Sequence, residues 1–347
     1  MASPGRGPRH GRRAVPEACP LAGPGPLGRP VTVVGAGGAV GRELLLLLEE
    51  WGQPAAAIER LGRGSKPRAA EDSLVFLCTP PEISARWSAA LAAQERPPRV
   101  VVDLSSAARR RAPLIVPEAN GAELLKLAGP GAGRPLLLAG PNCTAALAAV
   151  VLAPLERAVG LAAVSLVSLQ AASGAGAAGL AALAAEEEEG PSRGTGEGPF
   201  PAVLHRNVIP AVGDCRPGEA SGEEEKVLWE LRHLLGRGEL PLEVSTTRVP
   251  VERCHSLALH LTLERGISPA AARECLLAAP GVRVDDDPHG PRPRECAGTD
   301  LVHVGRIRRG SSGPRSLSLF AVGDQLRKGA ALNALQVAAL LSASDPC

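Results

Sequence analysis

Apolar residues in the first part of the chain form short continuous runs that are separated by stretches with helical spacing. The runs at 31–34, 73–77 and 100–104 have the length of buried strands, whereas 40–51 and 88–93 repeat apolar positions as helices do. Strands that alternate with helices are typical of a parallel sheet with helices on its faces. The pattern therefore predicts an α/β fold that begins at about residue 30.

The pattern changes near residue 143, where helices and half-exposed strands replace the regular alternation. The predicted helices of this part lie at 144–159, 226–235 and 325–341, the last of them amphipathic. The predicted strands lie at 164–170, 242–251, 256–263 and 301–307. Charged segments rich in Gly and Pro predict loops at 186–199 and 285–298. We expect a second domain of α+β type over residues 143–324.

A glycine-rich turn, residues 35–41, follows the first predicted strand and opens the first predicted helix. This is the context that a dinucleotide-binding fingerprint requires, since glycines allow a tight turn, close approach of a pyrophosphate and close helix–sheet packing. The turn predicts a Rossmann-type domain over residues 30–142. Its candidate cofactor residues are Gly35, Gly37, Gly38, Ala39, Val40, Gly41 and, at the end of a neighbouring strand, Thr79.

The segment after the second strand bears on which dinucleotide binds. Glu59 stands near the place where an acid binds the ribose hydroxyls of NAD. However, Arg60, Arg63, Lys66 and Arg68 crowd the same segment, and guanidinium groups suit a 2′-phosphate. The two readings stay open, but the basic residues favour NADP, with Arg63 as the candidate.

Cys143 is the strongest candidate for covalent chemistry. It follows an apolar run at 136–139 and precedes a helix, so it should lie beside unpaired amides that favour a thiolate and an oxyanion. Three polar residues, Gln170, Arg248 and His255, interrupt otherwise apolar strands. They supply the base, the orienting group and the anion-binding arginine that a nucleophilic cysteine and an acidic substrate need.

Composition narrows the function further. The 347 residues are 45% hydrophobic with a formal net charge of +2, no Tyr, three Phe and three Trp, which argues against nucleic-acid binding. No apolar run approaches the ~20 residues of a membrane span. The eight cysteines contain no Cys-x-x-Cys pair, so we expect no metal site, no disulfide framework and a reduced, cytoplasmic protein. Residues 1–29 predict a disordered tail, with a targeting peptide as the alternative.

Taken in order, five segments resemble aspartate-semialdehyde dehydrogenase over roughly residues 31–342. They are 35–41, 141–144, 170–176, 248–256 and 327–333. The resemblance implies a homodimer that reduces L-aspartyl 4-phosphate to L-aspartate 4-semialdehyde with NADPH, releasing inorganic phosphate, in lysine, threonine and methionine biosynthesis. It also implies that the closing helix, about 325–345, packs back on the first domain.

The resemblance assigns roles to individual residues. It implies Cys143 as the nucleophile, His255 as acid/base and Gln170 as the group that positions the acyl intermediate. The implied phosphate residues are Arg109 and Lys226, while Arg248 is implied to bind the α-carboxylate and Glu223 the amino group. Asn142 is a further implied substrate-binding residue. Further cofactor residues implied are Ser173, Gly174 and Gln325.

Some assignments have rivals. Arg110 and Arg111 compete with Arg109, and Glu224 and Glu225 compete with Glu223. The chain departs from the family pattern at Leu257, where a carboxylate is usual, and in the segment 63–65, where Gly64 separates the Arg-Ser pair. An N-acetyl-glutamyl-phosphate reductase-like enzyme and a non-catalytic paralogue acting as a binding subunit are the alternative functions.

Overall fold

The structure is a computed structural model that describes residues 24–127, 134–189 and 198–343. Its first sheet is parallel, with the strand order β2-β1-β3-β4-β5. The strands are β1 (Val31–Val34), β2 (Ile58–Leu61), β3 (Leu74–Leu77), β4 (Val100–Asp103) and β5 (Leu136–Ala139), and the intervening helices are α1 (Ala39–Glu50), α2 (Pro81–Ala92) and α3 (Pro117–Leu125). Every residue of β1, β3 and β4 is buried because helices cover both faces of the sheet.

The second sheet is mixed, with the order β7-β6-β8-β11-β10-β9. Its strands are β6 (Leu161–Gln170), β7 (Leu242–Arg248), β8 (His255–Leu263), β9 (Val282–Val284), β10 (Val302–Arg309) and β11 (Ser316–Gly323). The helices of this part are α4 (Cys143–Val159), α5 (Gly176–Glu189), α6 (Gly222–Leu234), α7 (Pro269–Leu277) and α8 (Pro293–Cys296). The predicted fold class, a Rossmann-type parallel sheet followed by an α+β part, is confirmed.

Helix α4 is the central packing element. It is buried continuously from Thr144 to Glu156 and contacts α3, α6, α7 and four strands of the mixed sheet. Its first residue follows β5 after a short turn, so the packing that buries α4 also fixes the position of Cys143 at the edge of the parallel sheet. One helix thus carries the candidate nucleophile and the centre of the larger core.

The chain closes with a π-turn (Arg327–Ala331) and helix α9 (Leu332–Ala343). Leu332 and Leu335 belong to the same apolar cluster as Val33 of β1 and Leu44 of α1. The closing helix therefore packs on the first sheet. It is buried on nearly all sides rather than amphipathic, because α1, α3 and β4 all contact it or the π-turn before it.

Ion pairs join this closing segment and the second sheet to α1. Glu43 of α1 is buried and lies 2.7 Å from Nη2 of Arg253, just before β8, and 3.3 Å from Nη1 of Arg327 in the π-turn. Arg253 also contacts Asp324 at 2.6 Å. Because both arginines pair with one carboxylate, the glycine-turn helix is tied to both parts of the chain that approach Cys143.

Several sequence predictions need correction. Residues 186–189, predicted as a loop, continue α5, where Glu186 accepts hydrogen bonds from the amides of Leu204 and His205 at 2.9 and 2.8 Å. The rest of that predicted loop up to 197 lies outside the described residues. The sequence reading also missed α3, α5, α7, β9 and β11, and a short helix, α8, interrupts the predicted loop 285–298.

The predicted tail ends earlier than residue 29. Leu27 is buried, and its amide donates to Oε1 of Gln53 at 2.9 Å, while Nε2 of Gln53 donates to the carbonyl of Arg29 at 2.9 Å. Residues 1–23 lie outside the described residues. Among the helices that the structure describes, none has both the length and the apolar character needed to cross a membrane.

Candidate active site

The glycine turn has the space and the donors that an anionic group needs. Gly35 has φ +82°, and a Cβ there would collide with the carbonyl oxygen of Cys78, while a Cβ at Gly41 would collide with that of Gly35. Gly37 faces open space. Helix α1 has Gly38 as its N-cap, so no side chain caps its first amides. The turn therefore fits a dinucleotide pyrophosphate, with Thr79 beside Gly35.

The region after β2 bears on which dinucleotide the protein binds. Glu59 lies within β2 and accepts a hydrogen bond from Oγ1 of Thr32 at 3.2 Å, so its carboxylate is engaged two residues before the strand ends. Arg63 is exposed in the loop that follows, where Oγ of Ser65 accepts from the amide of Gly62 at 3.3 Å. The carboxyl end of β2 thus presents a basic loop rather than an acid.

Polar residues of the second sheet lie together along the side where β6, β7 and β11 end and β8 begins, which we call its edge. Gln170 ends β6 in register with Arg248, which ends β7, and His255 begins β8 in register with Gly323, which ends β11. Helix α4 packs under this edge, since a Cβ at Gly323 would lie 2.5 Å from Cδ2 of Leu147. The polar residues predicted in the mixed sheet therefore lie near the first turns of α4, the helix that follows β5 of the parallel sheet.

Asn142 caps that start. Its Oδ1 accepts from the amides of Thr144 at 2.9 Å and Ala145 at 3.2 Å, and its carbonyl accepts from Ala146 at 2.8 Å. The expectation of unpaired amides beside Cys143 is therefore wrong for these three donors, because the residue before the cysteine satisfies them. The Thr144 amide still lowers the pKa of Cys143, and the other groups that do so are the side chains of Arg109 and Arg248.

Two carboxylates of α6 face this turn. Glu223 accepts from Nδ2 of Asn142 at 2.7 Å and from Nε2 of Gln170 at 3.4 Å, and Nε2 of Gln170 also donates to Thr144 at 3.1 Å. Glu230 is buried and accepts from the backbone amide of Asn142 at 2.5 Å. The sequence reading missed Glu230, which stands in an ordinary amphipathic helix.

The structure separates the rival assignments. Arg109 donates from Nε to the carbonyl of Gly140 at 3.0 Å and from Nη1 to Glu230 at 3.0 Å, beside the cysteine turn. Arg110 instead lies over the ring of Trp229, 4.8 Å from its centroid. Glu224 is engaged in a capping box with Ser221 and accepts from the amide of Thr246 at 3.0 Å, and Glu225 is exposed. Arg111 is exposed, and Arg109 and Glu223 are the members of each set that contact the turn before Cys143, at Gly140 and Asn142 respectively.

The surroundings of Cys143 keep its thiol neutral. Burial raises the pKa of Cys143 to about 12, Glu223 adds to the rise, and Arg109, the Thr144 amide and Arg248 oppose it. Without a ligand the thiol is therefore protonated at neutral pH. An anionic thiolate would require the balance of charge around it to change.

The hydrogen bonds of His255 assign its tautomer. The amide of Ala171 donates to Nδ1 at 3.1 Å, so Nδ1 is an acceptor and the neutral ring carries its proton on Nε2. Burial, and then Arg248, lowers the pKa of His255 to about 3. Nε2 is buried and has no partner within the described residues. It therefore offers a neutral N–H donor to a ligand.

Arg248 and His255 share one cavity wall. A methyl group at Gly174 would lie 2.5 Å from Nη1 of Arg248 and 3.2 Å from Nε2 of His255, so the glycine keeps the space above both open. Arg248 is buried, donates from Nη1 to the carbonyl of Ala171 at 2.6 Å and lies 5.8 Å from the ring centroid of Phe200. Phe200, which the sequence reading missed, thus flanks the arginine.

The remaining candidates lie around this group. Nε2 of Gln325 donates to Oγ of Ser173, and Oε1 of Gln325 accepts from the amide of Cys254 at 2.8 Å. A Cβ at Gly329 in the π-turn would lie 3.0 Å from Cβ of Cys143, so the closing segment forms one wall beside the thiol. Lys226 is the most peripheral, with Nζ 3.9 Å from Glu223 and its side chain 48% exposed.

Within the described residues, no group of three or more His, Cys, Asp or Glu side chains could hold a metal ion. In this structure a parallel sheet with an open glycine turn meets, at a cysteine, a mixed sheet that carries an arginine and a histidine. This arrangement is typical of a two-domain, nicotinamide-dependent dehydrogenase.

Known proteins of this class are similar over most of the chain. The family model described as semialdehyde dehydrogenase, dimerisation domain, matches residues 152–328. The aspartate-semialdehyde dehydrogenases of Prochlorococcus marinus and Synechocystis sp. are 32% and 34% identical, each covering 90% of this chain and 96% of the relative. The crystal structure of aspartate semialdehyde dehydrogenase II from Vibrio cholerae matches with a TM-score of 0.80 at 28% identity, covering 90% of this chain and 97% of that chain. The chain therefore belongs to the aspartate-semialdehyde dehydrogenase family.

Proposed function

We propose that this protein catalyses the NADPH-dependent reductive dephosphorylation of L-aspartyl 4-phosphate to L-aspartate 4-semialdehyde, through a thioester on Cys143. The observation that carries the proposal is the convergence of three recognition groups on one thiol. Arg248 suits the α-carboxylate, Glu223 the α-amino group and Arg109 the phosphate. These groups match, one by one, the charged groups of an aspartyl phosphate.

The reacting centre follows from this arrangement. Sγ of Cys143 forms a bond to the acyl carbon while the bond from that carbon to the phosphate oxygen breaks. Nε2–H of His255 donates to the acyl oxygen, which gains negative charge as the carbon becomes tetrahedral. Because Ala171 keeps Nδ1 an acceptor, the thiol proton passes to the departing phosphate in this step. His255 thus acts first as a donor, where the sequence suggested a base.

Other side chains position the intermediate. Gln170 bridges Thr144 and Glu223, so it holds the wall against which the acyl group lies. Asn142 caps α4 and contacts Glu223, which links the recognition of the amino group to the turn of the nucleophile. Lys226, with its exposed ammonium group, is proposed to contact phosphate as it enters. Loss of its charge should therefore affect phosphate more than the semialdehyde.

The glycine turn, Thr79, Ser173, Gly174 and Gln325 are proposed to hold NADP, with Arg63 at its 2′-phosphate. When bound, the dinucleotide supplies hydride to the thioester carbon. The chain's own contribution is the space left by Gly35, Gly37 and Gly174 and the uncapped amides of α1. The cofactor domain is proposed to comprise residues 30–142 with the closing segment 325–343, and the catalytic domain residues 143–324.

The catalytic domain is also proposed to form a homodimer. The match of residues 152–328 to a dimerisation-domain family supports this. One face of the mixed sheet carries exposed residues such as Ser165 and His260 in the single chain. Light scattering of the purified protein should give twice the chain mass, and a monomer at micromolar concentration would contradict the assignment.

Activity is best tested in the reverse direction, where the substrates are stable. Purified protein should reduce NADP+ with L-aspartate 4-semialdehyde, and only when inorganic phosphate is present. Reduction that needs no phosphate would refute acyl-phosphate chemistry. Turnover of N-acetyl-glutamate semialdehyde in preference to aspartate semialdehyde would favour the alternative reductase, and no turnover of either would favour a binding subunit.

A further inference from the structure

Glu230 has a place in the site that its sequence context does not reveal. It lies on α6 with 1% of its surface exposed, and both of its carboxylate oxygens are engaged. Oε1 accepts from Nη1 of Arg109 at 3.0 Å, and Oε2 accepts from the backbone amide of Asn142 at 2.5 Å. One donor follows β4 and the other follows β5, so a single side chain joins the ends of two neighbouring strands.

These contacts fix the geometry of Arg109. Its guanidinium is bonded on one side to the carbonyl of Gly140 and on another to Glu230. The hydrogen bonds of Arg109 within the described residues use Nε and Nη1, which leaves Nη2 for an anion. The same carboxylate holds the amide of Asn142, the residue that directly precedes the nucleophile.

Burying the ionised carboxylate of Glu230 costs free energy unless both of its hydrogen-bond donors stay in place. Burial raises the pKa of Glu230, while Arg109 and the Asn142 amide oppose the rise by stabilising the ionised form. Removing one partner of such a buried charged group is strongly destabilising. The energetic coupling therefore runs from Arg109 through Glu230 to the turn that carries Cys143.

We propose, on the basis of the proposed function, that Glu230 is a positioning residue for the phosphate-transfer step. It fixes the position of the Arg109 guanidinium relative to the peptide that precedes Cys143. A phosphate bound by Arg109 is then kept at a fixed distance from Sγ. Small misplacements at such a step have large effects on rate, since the reacting atoms must be aligned.

The substitution Glu230→Gln tests this without changing the shape of the side chain. An amide has one acceptor and one pair of donors, so in either orientation it turns one of the two contacts into donor against donor. In the reverse assay the apparent constant for phosphate should rise about tenfold and kcat should fall about tenfold, the scale of one lost charge-assisted hydrogen bond. The constants for the semialdehyde and NADP+ should stay within about twofold.

The matched control is Glu225→Gln, which removes an exposed carboxylate from the same helix and should leave all constants unchanged. A double-mutant cycle with Arg109→Ala tests the coupling. If Glu230 acts through Arg109, adding Glu230→Gln to Arg109→Ala should change the phosphate constant by less than about twofold. Effects that multiply independently would overturn the proposal.

A second readout does not depend on turnover. Iodoacetamide alkylation of Cys143, followed by mass spectrometry, should be slowed by inorganic phosphate, and Glu230→Gln should need about tenfold more phosphate for the same protection. Suppose that phosphate protects the wild type and that Glu230→Gln needs more phosphate for the same protection, while the wild type has no turnover. In that case the proposed function fails, but the role of Glu230 in placing Arg109 stands. If the wild type turns over and Glu230→Gln matches it in both measurements, the role of Glu230 fails alone.

Should Glu230→Gln not fold, as judged by circular dichroism, Glu230→Asp replaces it. The shorter carboxylate keeps two acceptors but loses one methylene of reach, so it should raise the phosphate constant by about three- to tenfold. A folded Glu230→Asp enzyme with wild-type constants and wild-type phosphate protection would overturn the proposal.

Discussion

Two helices of this protein begin at the carboxyl edge of the same parallel sheet, and their first turns are built in opposite ways. Helix α1 begins after Gly38, which offers no side-chain cap, and its glycines leave open space around the first amides. Helix α4 begins after Asn142, which satisfies the amides of Thr144 and Ala145. Carboxylates lie close to the start of α4, whereas only small, neutral residues precede the start of α1.

This difference explains why the two helix starts have different roles. An open helix start suits a ligand that brings its own negative charge, because the amides and the helix dipole are the only groups it needs. A capped start beside two carboxylates repels negative charge, and the pKa of Cys143 is accordingly raised, by burial first and Glu223 second. At α4 the arginines Arg109 and Arg248, together with the Thr144 amide, therefore supply the positive field that uncapped amides supply at α1.

The largest expected effect is at α4. Cys143→Ser keeps the volume of the side chain but lacks a reactive thiol, so kcat should fall by about three to six orders of magnitude, as when a nucleophile is removed. The reverse assay with phosphate measures it. Cofactor affinity at α1 should not change, and Cys275→Ser, at a cysteine that contacts the carbonyl of Pro154, is the control. Activity within tenfold of wild type would remove Cys143 from the mechanism.

The ionisation of Cys143 gives the next largest effect. With its pKa raised to about 12, the thiolate fraction grows about tenfold with each pH unit below that value. The alkylation rate of the ligand-free protein by iodoacetamide should therefore rise by roughly a thousandfold from pH 6 to 9 without a plateau. A plateau near pH 7 would mean that the start of α4 stabilises a thiolate after all, and the contrast with α1 would disappear.

A substitution at Arg63 tests the proposed cofactor site near the start of α1. If it binds a 2′-phosphate, Arg63→Ala should weaken NADPH binding about ten- to a hundredfold and leave NADH binding nearly unchanged. Arg68→Ala, at a second exposed arginine in the segment that joins β2 and β3, is the matched control. Fluorescence titration with both dinucleotides measures the two constants. Equal losses for NADPH and NADH would place Arg63 away from the 2′-phosphate.

The smallest effects test the caps directly. Asn142→Ala should lower the free energy of unfolding by about 0.5–2 kcal/mol because it removes an N-cap side chain. Gly38→Ala should cost far less stability, since φ is −74° and the new methyl would lie 3.4 Å from the carbonyl oxygen of Gly35. That methyl would nevertheless enter the cofactor space and weaken NADPH binding. Urea unfolding of both variants checks the pair, and equal losses of stability would contradict it.

Sequence alone predicted the elements whose pattern is local. The runs at 31–34 and 100–104 are strands, and the glycine turn and the start of α4 are where they were expected. Helix α5 was missed because its first ten residues are only Gly, Ala and Leu, with little contrast between faces. Strand β11 mixes Ser, Leu, Phe and Val, and most of it is buried, so it lacks the burial alternation of a half-exposed strand. Helix α9 was taken as amphipathic for a related reason: Asn333 and Gln336 are polar, yet both bind the buried ammonium of Lys328.

The site was predictable only where a motif marks it. Asn142 and Cys143 stand in one turn, but Glu230 reaches them from 88 residues further along the chain, and no spacing rule connects the two. The choice of Arg109 over Arg110 likewise depends on which side chain the turn after β4 directs toward Gly140 and which toward Trp229. The tautomer of His255 depends on a single backbone amide, that of Ala171.

The packing of α9 in the apolar cluster that also contains β1 sets the order in which that cluster can be completed. The strand is translated near residue 31, whereas the helix that covers it arrives some three hundred residues later. Until then Leu44 and Leu47 of α1, which are fully buried in the finished molecule, lack the α9 side chains that share their apolar cluster. The parallel sheet is thus made first and completed last, and its uncovered apolar face is the kind of surface that makes a folding intermediate prone to aggregation.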